Sequence, residues 1–208
     1  MKDLVELRGE KWIWPKSDEN SWKHQNEYNE LASHLLPHVE NKNIMIQAGG
    51  NCGYLLSSFV EHFDTIYTFE PDPINFLCLT LNCDSENVIK FQACVGKDRN
   101  LVSLDQSDNC GAIHVGVDEN GIIPGIIPTM QIDDLNLDCC DLIQLDTEGF
   151  EYFALQGAIE TLEKFKPILC LEWVWAKRFG IEFDKIESFL DNLNYKLIYY
   201  MNGVLGFW

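Results

Sequence analysis

A chain of 208 residues, 46% of them hydrophobic, is long enough to bury a full core, which predicts one folded domain and excludes a disordered chain. Its 15 basic and 33 acidic residues give a formal charge of −18, so we expect no nucleic-acid partner. We find no membrane span and no apolar signal core. Eight cysteines without a C-x-x-C or zinc-like spacing favour reduced, buried thiols over disulfides, and predict a cytoplasmic protein.

An N-terminal segment, residues 1–40, precedes the first buried strand. Its stretch LVELRGEKWIWPK predicts a short hairpin or an extended arm. The tryptophans Trp12, Trp14 and Trp22 favour a packing flap, while a flap over a cofactor or a sugar-stacking surface stays open as an alternative. A short helix that ends at Pro37 follows. We interpret the remaining chain, residues 41–208, as the main domain.

Residues 44–71 form the stretch around which the domain is organised, because they predict a strand, a glycine turn, a helix and a second strand. The apolar residues 44–46 are followed by Gly49, Gly50 and Gly53, and the helix is predicted from Asn51. The second strand ends in Glu70. An acid about 20 residues after a glycine turn is the ribose-hydroxyl acceptor of nucleoside-binding α/β folds. The alternative is a glycine turn that only links two elements.

Residues 72–82 predict the next helix. We assign its buried face to the following side chains: Phe76, Leu77, Thr80 and Leu81. A third strand over residues 87–91 has Gln92 and Ala93 at its carboxyl end, where open α/β sheets bind ligands. Gln92 is therefore a candidate contact to a nucleoside base, with an ordinary loop residue as the alternative.

Residues 94–138 form a long, turn-rich excursion, with short strands predicted at residues 102–104, 112–115 and 126–132. Because excursions of this length in compact domains are usually functional, we interpret this one as a substrate-side lid. His114 is its single histidine, and a packed or solvated histidine is favoured over a catalytic base.

The last third again alternates strands and helices. A strand over residues 141–145 ends in Asp146, a helix starts at Phe150, and a strand that follows Pro167 ends in Glu172. A helix over residues 182–193 precedes two β runs joined at a hairpin turn, Asn202-Gly203. This order predicts an α/β, Rossmann-like class I methyltransferase fold: a mostly parallel seven-stranded sheet with an antiparallel C-terminal hairpin, which dinucleotide-binding folds lack.

Three motifs carry a resemblance to a known family: QAGGNCG, YTFEPDP, and LIQLDTEGFE followed by LQGA. They resemble the signatures of FkbM-family S-adenosylmethionine-dependent methyltransferases. The matching residues are Gly49, Asn51, Gly53, Phe69, Glu70, Pro71, Pro73, Asp146, Glu148, Gly149, Glu151, Leu155, Gly157 and Ala158. The variant A-G-G-N together with W-x-W-P is also similar to phage-encoded members. Two positions depart from the pattern: Gln47 replaces the first acid, which predicts weaker or altered cofactor binding, and Gln144 replaces a lysine.

The resemblance implies S-adenosylmethionine as the cofactor, with residues 49–53 around its methionine part and Glu70 on its ribose. The candidate cofactor-binding residues are Gln47, Gly49, Gly50, Asn51, Cys52, Gly53, Phe69, Glu70, Pro71, Gln92, Ala93 and Asp146. It also implies O-methylation of a hydroxyl, and we expect a small-molecule or glycan acceptor such as a sugar or glycoconjugate.

Asp146, Glu148 and Glu172 are the candidate catalytic residues, because they follow adjacent strands and should converge at one edge of the sheet. Converging carboxylates need a proton, a cation or substrate hydroxyls around them. Two mechanisms are open: a metal-free general base, which we favour, and a divalent cation that would acidify the hydroxyl. The alternative role for Asp146 and Glu148 is capping of the following helix. Two other functions stay open: a non-catalytic nucleoside-binding module and, less favoured, a nicotinamide-dependent oxidoreductase.

Overall fold

The computed structural model describes residues 2–7, 9–16, 18, 28–201 and 204–207. It opens with an antiparallel hairpin of β1 (Lys2–Leu7) and β2 (Glu10–Pro15), followed by α1 (Tyr28–Leu35) and a 3₁₀ turn, Leu36–His38. This confirms the predicted hairpin and the helix that ends near Pro37. Trp22 lies outside the described residues.

The first half of the domain repeats strand and helix as predicted. Its elements are β3 (Ile44–Ala48), α2 (Tyr54–Ser57), β4 (Thr65–Phe69), α3 (Pro73–Asn82) and β5 (Val88–Phe91). The three strands are parallel, with Ala48 opposite Phe69 and Phe69 opposite Phe91. Their carboxyl ends therefore lie side by side at one edge of the sheet.

The excursion that follows β5 is built from short strands. They are β6 (Cys94–Val95), β7 (Leu101–Val102), β8 (Leu104–Asp105), β9 (His114–Val115), β10 (Val117–Asp118), β11 (Gly121–Ile122) and β12 (Ile127–Met130). They pair into three small sheets, β6-β12-β7, β8-β9 and β10-β11, which stand apart from the central sheet.

The second half completes the central sheet. Its elements are β13 (Leu142–Leu145), α4 (Glu151–Gln156), α5 (Ile159–Phe165), β14 (Ile168–Glu172), α6 (Phe183–Asn192), β15 (Leu197–Met201) and β16 (Val204–Phe207). The strand order is β15-β16-β14-β13-β3-β4-β5, and β16 is antiparallel to both neighbours. The seven-stranded sheet with its antiparallel terminal hairpin matches the prediction, although the turn Asn202-Gly203 lies outside the described residues.

Both faces of the central sheet are covered, which is why its strands read as continuous apolar runs. Ile46 and Ile143 pack into the cluster on one face, and Met45 and Leu142 into the cluster on the other. Successive side chains of a strand alternate between the faces. No helix in the described part of the chain is both long and apolar enough to cross a membrane.

Three helix predictions need correction. The helix expected from Asn51 is a single turn, α2, and the chain beyond it is held by i→i−3 bonds such as His62 N to Phe59 O. Of the predicted buried face of α3, only Phe76 packs against the core. The fully buried residues of the helix are Asn75, Cys78 and Leu79, whereas Leu77 and Leu81 are 48% and 43% exposed. The helix expected from Phe150 is split into α4 and α5 at Gly157, where a Cβ would overlap the Gly96 carbonyl.

Hydrogen bonds explain why the apolar pattern of α3 was misleading. The Asn75 amide donates to the Cys110 carbonyl at 2.9 Å, and the Asn82 amide donates to the Ile13 and Cys52 carbonyls at 2.8 Å. Inward-facing amide N–H groups are stable where backbone carbonyls accept from them. The inner side of α3 therefore includes two asparagines, which a count of apolar residues assigns to the outer side.

Candidate active site

A cavity of about 860 Å³, counting its mouth, opens at the carboxyl edge of the sheet. The loop after β3, the end of β4 and the loop after β13 supply its floor through residues 48–51, 69–71 and 146–148. The excursion after β5 supplies the opposite wall, which includes Leu104, Cys110 and His114. Most of the predicted site residues therefore meet in one place.

The glycine loop after β3 is fixed by its own backbone. The amides of Gly49 and Gly50 donate to the Phe69 carbonyl at 3.0 and 2.9 Å. Gly49 has φ +89°, and a Cβ there would overlap the carbonyl of Asp146 on the neighbouring strand. The loop thus needs glycine at this position to pass close to β13, and it presents bare backbone to the cavity.

We expect Gly49→Ala to lower the free energy of unfolding by about 3 kcal/mol or more, since it adds backbone overlap to the strain of a positive φ. Gly9→Ala is the matched control, because Gly9 has φ +79° but open space where its Cβ would lie. That variant should lose only about 1 kcal/mol. Urea unfolding of both measures the difference, and equal losses would contradict the close approach.

Glu70 is the acid that joins the glycine loop to the next helix. Its Oε2 accepts from the amide of Asn51 at 2.7 Å, and its Oε1 accepts from the amide of Asp72 at 2.9 Å. Burial raises the pKa of Glu70 to about 7, against the lowering effect of those two amides. The side chain is thus held in the cavity wall with lone pairs left on both oxygens.

Four of the predicted cofactor-binding residues do not line the cavity. Gln47 is buried behind the loop, where its Oε1 accepts from the Thr68 hydroxyl at 2.6 Å. Cys52 is buried beside Trp12 and Tyr54, and Gly53 lies against Leu79. Gln92 is exposed. The other eight predicted residues all line it: Gly49, Gly50, Asn51, Phe69, Glu70, Pro71, Ala93 and Asp146.

The three predicted catalytic acids converge. One carboxylate oxygen from each of Asp146, Glu148 and Glu172 lies within 4.8 Å of the other two. Asp146 and Glu148 line the cavity, whereas Glu172 is not among its lining residues. The Oε2 atoms of Glu148 and Glu172 are buried and have no hydrogen-bond partner among the described residues.

The electrostatics of the acid cluster favour retained protons. Burial and then the charge of Asp146 raise the pKa of Glu148 to about 8, although Arg178 opposes the shift with its Nη1 atom 4.0 Å from Glu148 Oε2. Burial raises the pKa of Asp146, and a hydrogen bond with Glu172 lowers it. Burial and the neighbouring acids raise the pKa of Glu172. The proton of the Asp146–Glu172 pair therefore belongs to Glu172.

Glu151 has a role in the site that its place in the sequence motif did not predict. Its Oε1 accepts from the Thr147 amide at 2.7 Å, the Thr147 hydroxyl at 2.9 Å and the Gly149 amide at 3.3 Å. Glu151 thus accepts hydrogen bonds from the donors of the loop before α4. Asp146 and Glu148 do not serve as helix caps, which was the alternative role considered for them. In the sequence, the second acid of the motif E-G-x-E is the feature that could have indicated this role.

His114 lies in the cavity wall, and an acceptor oxygen of the protein lies near each of its ring nitrogens. Its Nδ1 is 3.1 Å from the Ala112 carbonyl oxygen, and its Nε2 is 3.6 Å from Asp105 Oδ2. This supports the interpretation of a packed histidine. None of the eight cysteines forms a disulfide, and all but Cys139 are buried.

Comparison with known proteins agrees with this geometry. The family model described as the methyltransferase FkbM domain matches residues 47–197. No curated protein matches the sequence. Among solved structures, the FkbM methyltransferase of Methylobacillus flagellatus KT has a TM-score of 0.57 at 19% identity, over 80% of this chain and 44% of that one.

Two further solved structures share the fold at low identity. Trm5b of Pyrococcus abyssi has a TM-score of 0.53 at 9% identity, over 99% of this chain and 54% of that one. Magnesium protoporphyrin IX methyltransferase (ChlM) of Synechocystis PCC 6803, with bound SAM, has a TM-score of 0.51 at 8% identity. The match covers 88% of this chain and 78% of that one. This chain spans about half the length of the Methylobacillus and Pyrococcus proteins.

These likenesses confirm the Rossmann-like class I methyltransferase fold that the strand order predicts. The family model covers well over half of the chain and includes the glycine loop, Glu70 and the three acids of the cluster. The chain therefore belongs to the FkbM methyltransferase family.

Proposed function

We propose that this chain binds S-adenosylmethionine in the cavity and transfers its methyl group to a hydroxyl of a sugar or glycoconjugate. The observation that carries the proposal is Glu70, a buried carboxylate in the cavity wall, placed next to the bare backbone of residues 49–51. A carboxylate with free lone pairs fits the two hydroxyls of a ribose. The ChlM structure, which contains SAM, supports the same cofactor here.

The residues of the cavity fit the parts of this cofactor. Glu70 would hold the ribose hydroxyls. The glycine loop would lie along the methionine part of the cofactor, which side chains on this loop would otherwise exclude. Pro71 and Ala93 offer an apolar surface that suits the adenine. When bound, the cofactor supplies a methyl group that its sulfonium already activates, so the protein must orient the acceptor hydroxyl and remove its proton.

Glu148 is the residue that we propose as the general base. It lines the cavity, and its pKa of about 8 leaves it partly ionised and able to accept a proton near neutral pH. The Asp146–Glu172 pair would orient the acceptor by accepting hydrogen bonds from neighbouring hydroxyls. The charge of Asp146 also raises the pKa of Glu148, so Asp146 helps to make Glu148 a stronger base.

A divalent cation is the alternative way to use these acids, and their spacing would fit one. We favour the metal-free mechanism because the proton that Glu172 retains beside Asp146 already offsets part of the charge. Millimolar magnesium is therefore expected to leave the melting temperature unchanged. A clear rise that Glu172→Gln abolishes would contradict this expectation and favour the cation.

The excursion over residues 94–138 is proposed as the acceptor-side lid, since it supplies the cavity wall that faces the sheet. For residues 1–40 we propose a packing flap. Trp14 is 1% exposed, and the Ile13 amide donates to Asn82 Oδ1 on α3 at 2.7 Å. Buried tryptophans in this position stabilise the hairpin against α3 and offer no open ring to a ligand.

Calorimetric titration tests the proposal against its two rivals. Micromolar binding of S-adenosylmethionine and S-adenosylhomocysteine, with none of NAD, is the expected result. Binding of NAD instead would favour the oxidoreductase, which the antiparallel strand β16 already disfavours. Binding of the cofactor without turnover on any hydroxyl acceptor would favour the non-catalytic module. That alternative was considered because the neutral Gln47 replaces the first acid of the family pattern.

A further inference from the structure

The loop after β14 exposes an indole beside the acid cluster. Trp175 is 44% exposed, and its neighbour Val174 is 50% exposed. The tryptophans that the sequence offered for sugar stacking behave differently, since Trp12 and Trp14 are 7% and 1% exposed. Of the four tryptophans whose side chains the structure describes, Trp175 presents the most open surface.

Trp175 is fixed close to the acids by backbone packing. It follows Glu172 by three residues. A Cβ added to Gly149 would lie 2.6 Å from the Trp175 carbonyl oxygen, so the two loops are in close contact and only glycine fits between them. The backbone at Trp175 is therefore held against the loop after β13.

The ring is also oriented. The guanidinium of Arg178 lies over the indole at 5.2 Å from the ring centroid, a cation–π contact. The same side chain donates from Nη1 to the Glu148 carbonyl at 3.0 Å. Arg178 thus connects the indole to Glu148 and limits its rotation. An aromatic surface held in place in advance loses little entropy when a ligand stacks on it.

The surface around Trp175 and the acid cluster combines two kinds of binding group. One is an exposed aromatic face, and the other is a pair of buried carboxylate oxygens, Glu148 Oε2 and Glu172 Oε2, that lack hydrogen-bond partners among the described residues. A complementary ligand needs a flat C–H face for stacking and hydroxyl donors for the carboxylates. A neutral pyranoside has both, whereas an anionic sugar would be repelled by the acids and by the net charge of −18.

We propose that Trp175 is the stacking platform for the acceptor, and that the acceptor is a neutral pyranoside whose hydroxyls point at Glu148 and Glu172. The inference deepens the proposed function and rests on it. It assigns acceptor binding to the loop after β14, outside the N-terminal hairpin and outside the excursion over residues 94–138.

The probes for the test are two neutral glycosides, methyl α-D-mannopyranoside and methyl β-D-galactopyranoside, titrated with S-adenosylhomocysteine present at saturation. Trp175→Ala should weaken binding of the preferred glycoside about tenfold, since it removes one aromatic contact. Trp175→Phe should retain most of the affinity. Leu77→Ala is the matched control, because it removes a similarly exposed apolar side chain on α3 and should have no effect.

Binding of S-adenosylhomocysteine to each variant separates the two proposals. Trp175→Ala should keep that affinity within about twofold, since Trp175 is not among the residues that line the cavity. As a second measurement, the indole N–H resonance that disappears in Trp175→Phe should shift when wild-type protein binds the glycoside.

Equal glycoside affinity in wild type and Trp175→Ala would overturn the platform. So would a wild type that binds S-adenosylhomocysteine but neither glycoside, and in that case the cofactor proposal would stand. If S-adenosylhomocysteine fails to bind, the proposed function is wrong, and the shift of the Trp175 resonance still decides whether the glycoside stacks there.

Discussion

Glu70→Ala is expected to weaken binding of S-adenosylmethionine at least about 100-fold. Two charge-assisted hydrogen bonds to ribose hydroxyls are worth roughly 1.5–3 kcal/mol each, and the variant loses both. It also frees the Asn51 amide that Oε2 holds at 2.7 Å, so the glycine loop becomes less ordered. Calorimetric titration of the purified variant measures the loss.

Glu70→Gln is the control that preserves the shape of the side chain. It keeps one oxygen acceptor and loses the charge, so its affinity should fall between those of wild type and Glu70→Ala. Thermal unfolding of both variants shows whether the fold persists. A folded Glu70→Ala protein with wild-type affinity would mean that the ribose lies elsewhere.

The free protein is expected to lose stability as the pH rises from about 5 to 8. Burial raises the pKa of Glu70 and of Glu151 to about 7, and that of Glu148 to about 8, from an ordinary value of 4.5. The folded state thus keeps protons that the unfolded chain releases near pH 4.5, and stability falls wherever the folded state binds more protons. For Glu151 alone, the shift corresponds to roughly 3 kcal/mol.

Glu148→Gln should remove part of this slope and raise the free energy of unfolding at pH 8, because a neutral amide replaces a buried acid that must ionise. Glu187→Gln removes an exposed carboxylate of α6 and controls for the change in net charge. Urea unfolding at several pH values distinguishes the two. A wild-type stability that rises with pH through this range would contradict the buried-acid cluster.

Sequence motifs correctly predicted the location of site residues whose role depends on where the backbone runs. Glu70 and Asp146 follow buried strands, and parallel strands bring their carboxyl ends to one edge. Gly49 could be predicted because a tight turn beside a strand needs a positive φ. The mostly parallel sheet with its antiparallel β16 also follows from strand and helix alternation and one hairpin signal.

Side-chain direction could not be predicted in the same way. Gln47 directly precedes the lining residue Ala48 on β3, yet its side chain contacts Thr68, a neighbour that only the folded sheet brings close. Gln92 is one residue from Ala93, which lines the cavity, and points to solvent. Asn75 faces inward, where a backbone carbonyl 35 residues away accepts a hydrogen bond from its amide nitrogen. Each depends on tertiary partners that local patterns do not encode.

The most direct test of the account is a crystal structure of the chain with S-adenosylhomocysteine. We expect the ligand in the cavity, with both ribose hydroxyls at about 2.6–3.0 Å from the Glu70 carboxylate and the amino-acid part along residues 49–51. A ribose bound away from Glu70, or no ligand density from crystals grown at millimolar ligand, would contradict the central claim that this cavity is the cofactor site.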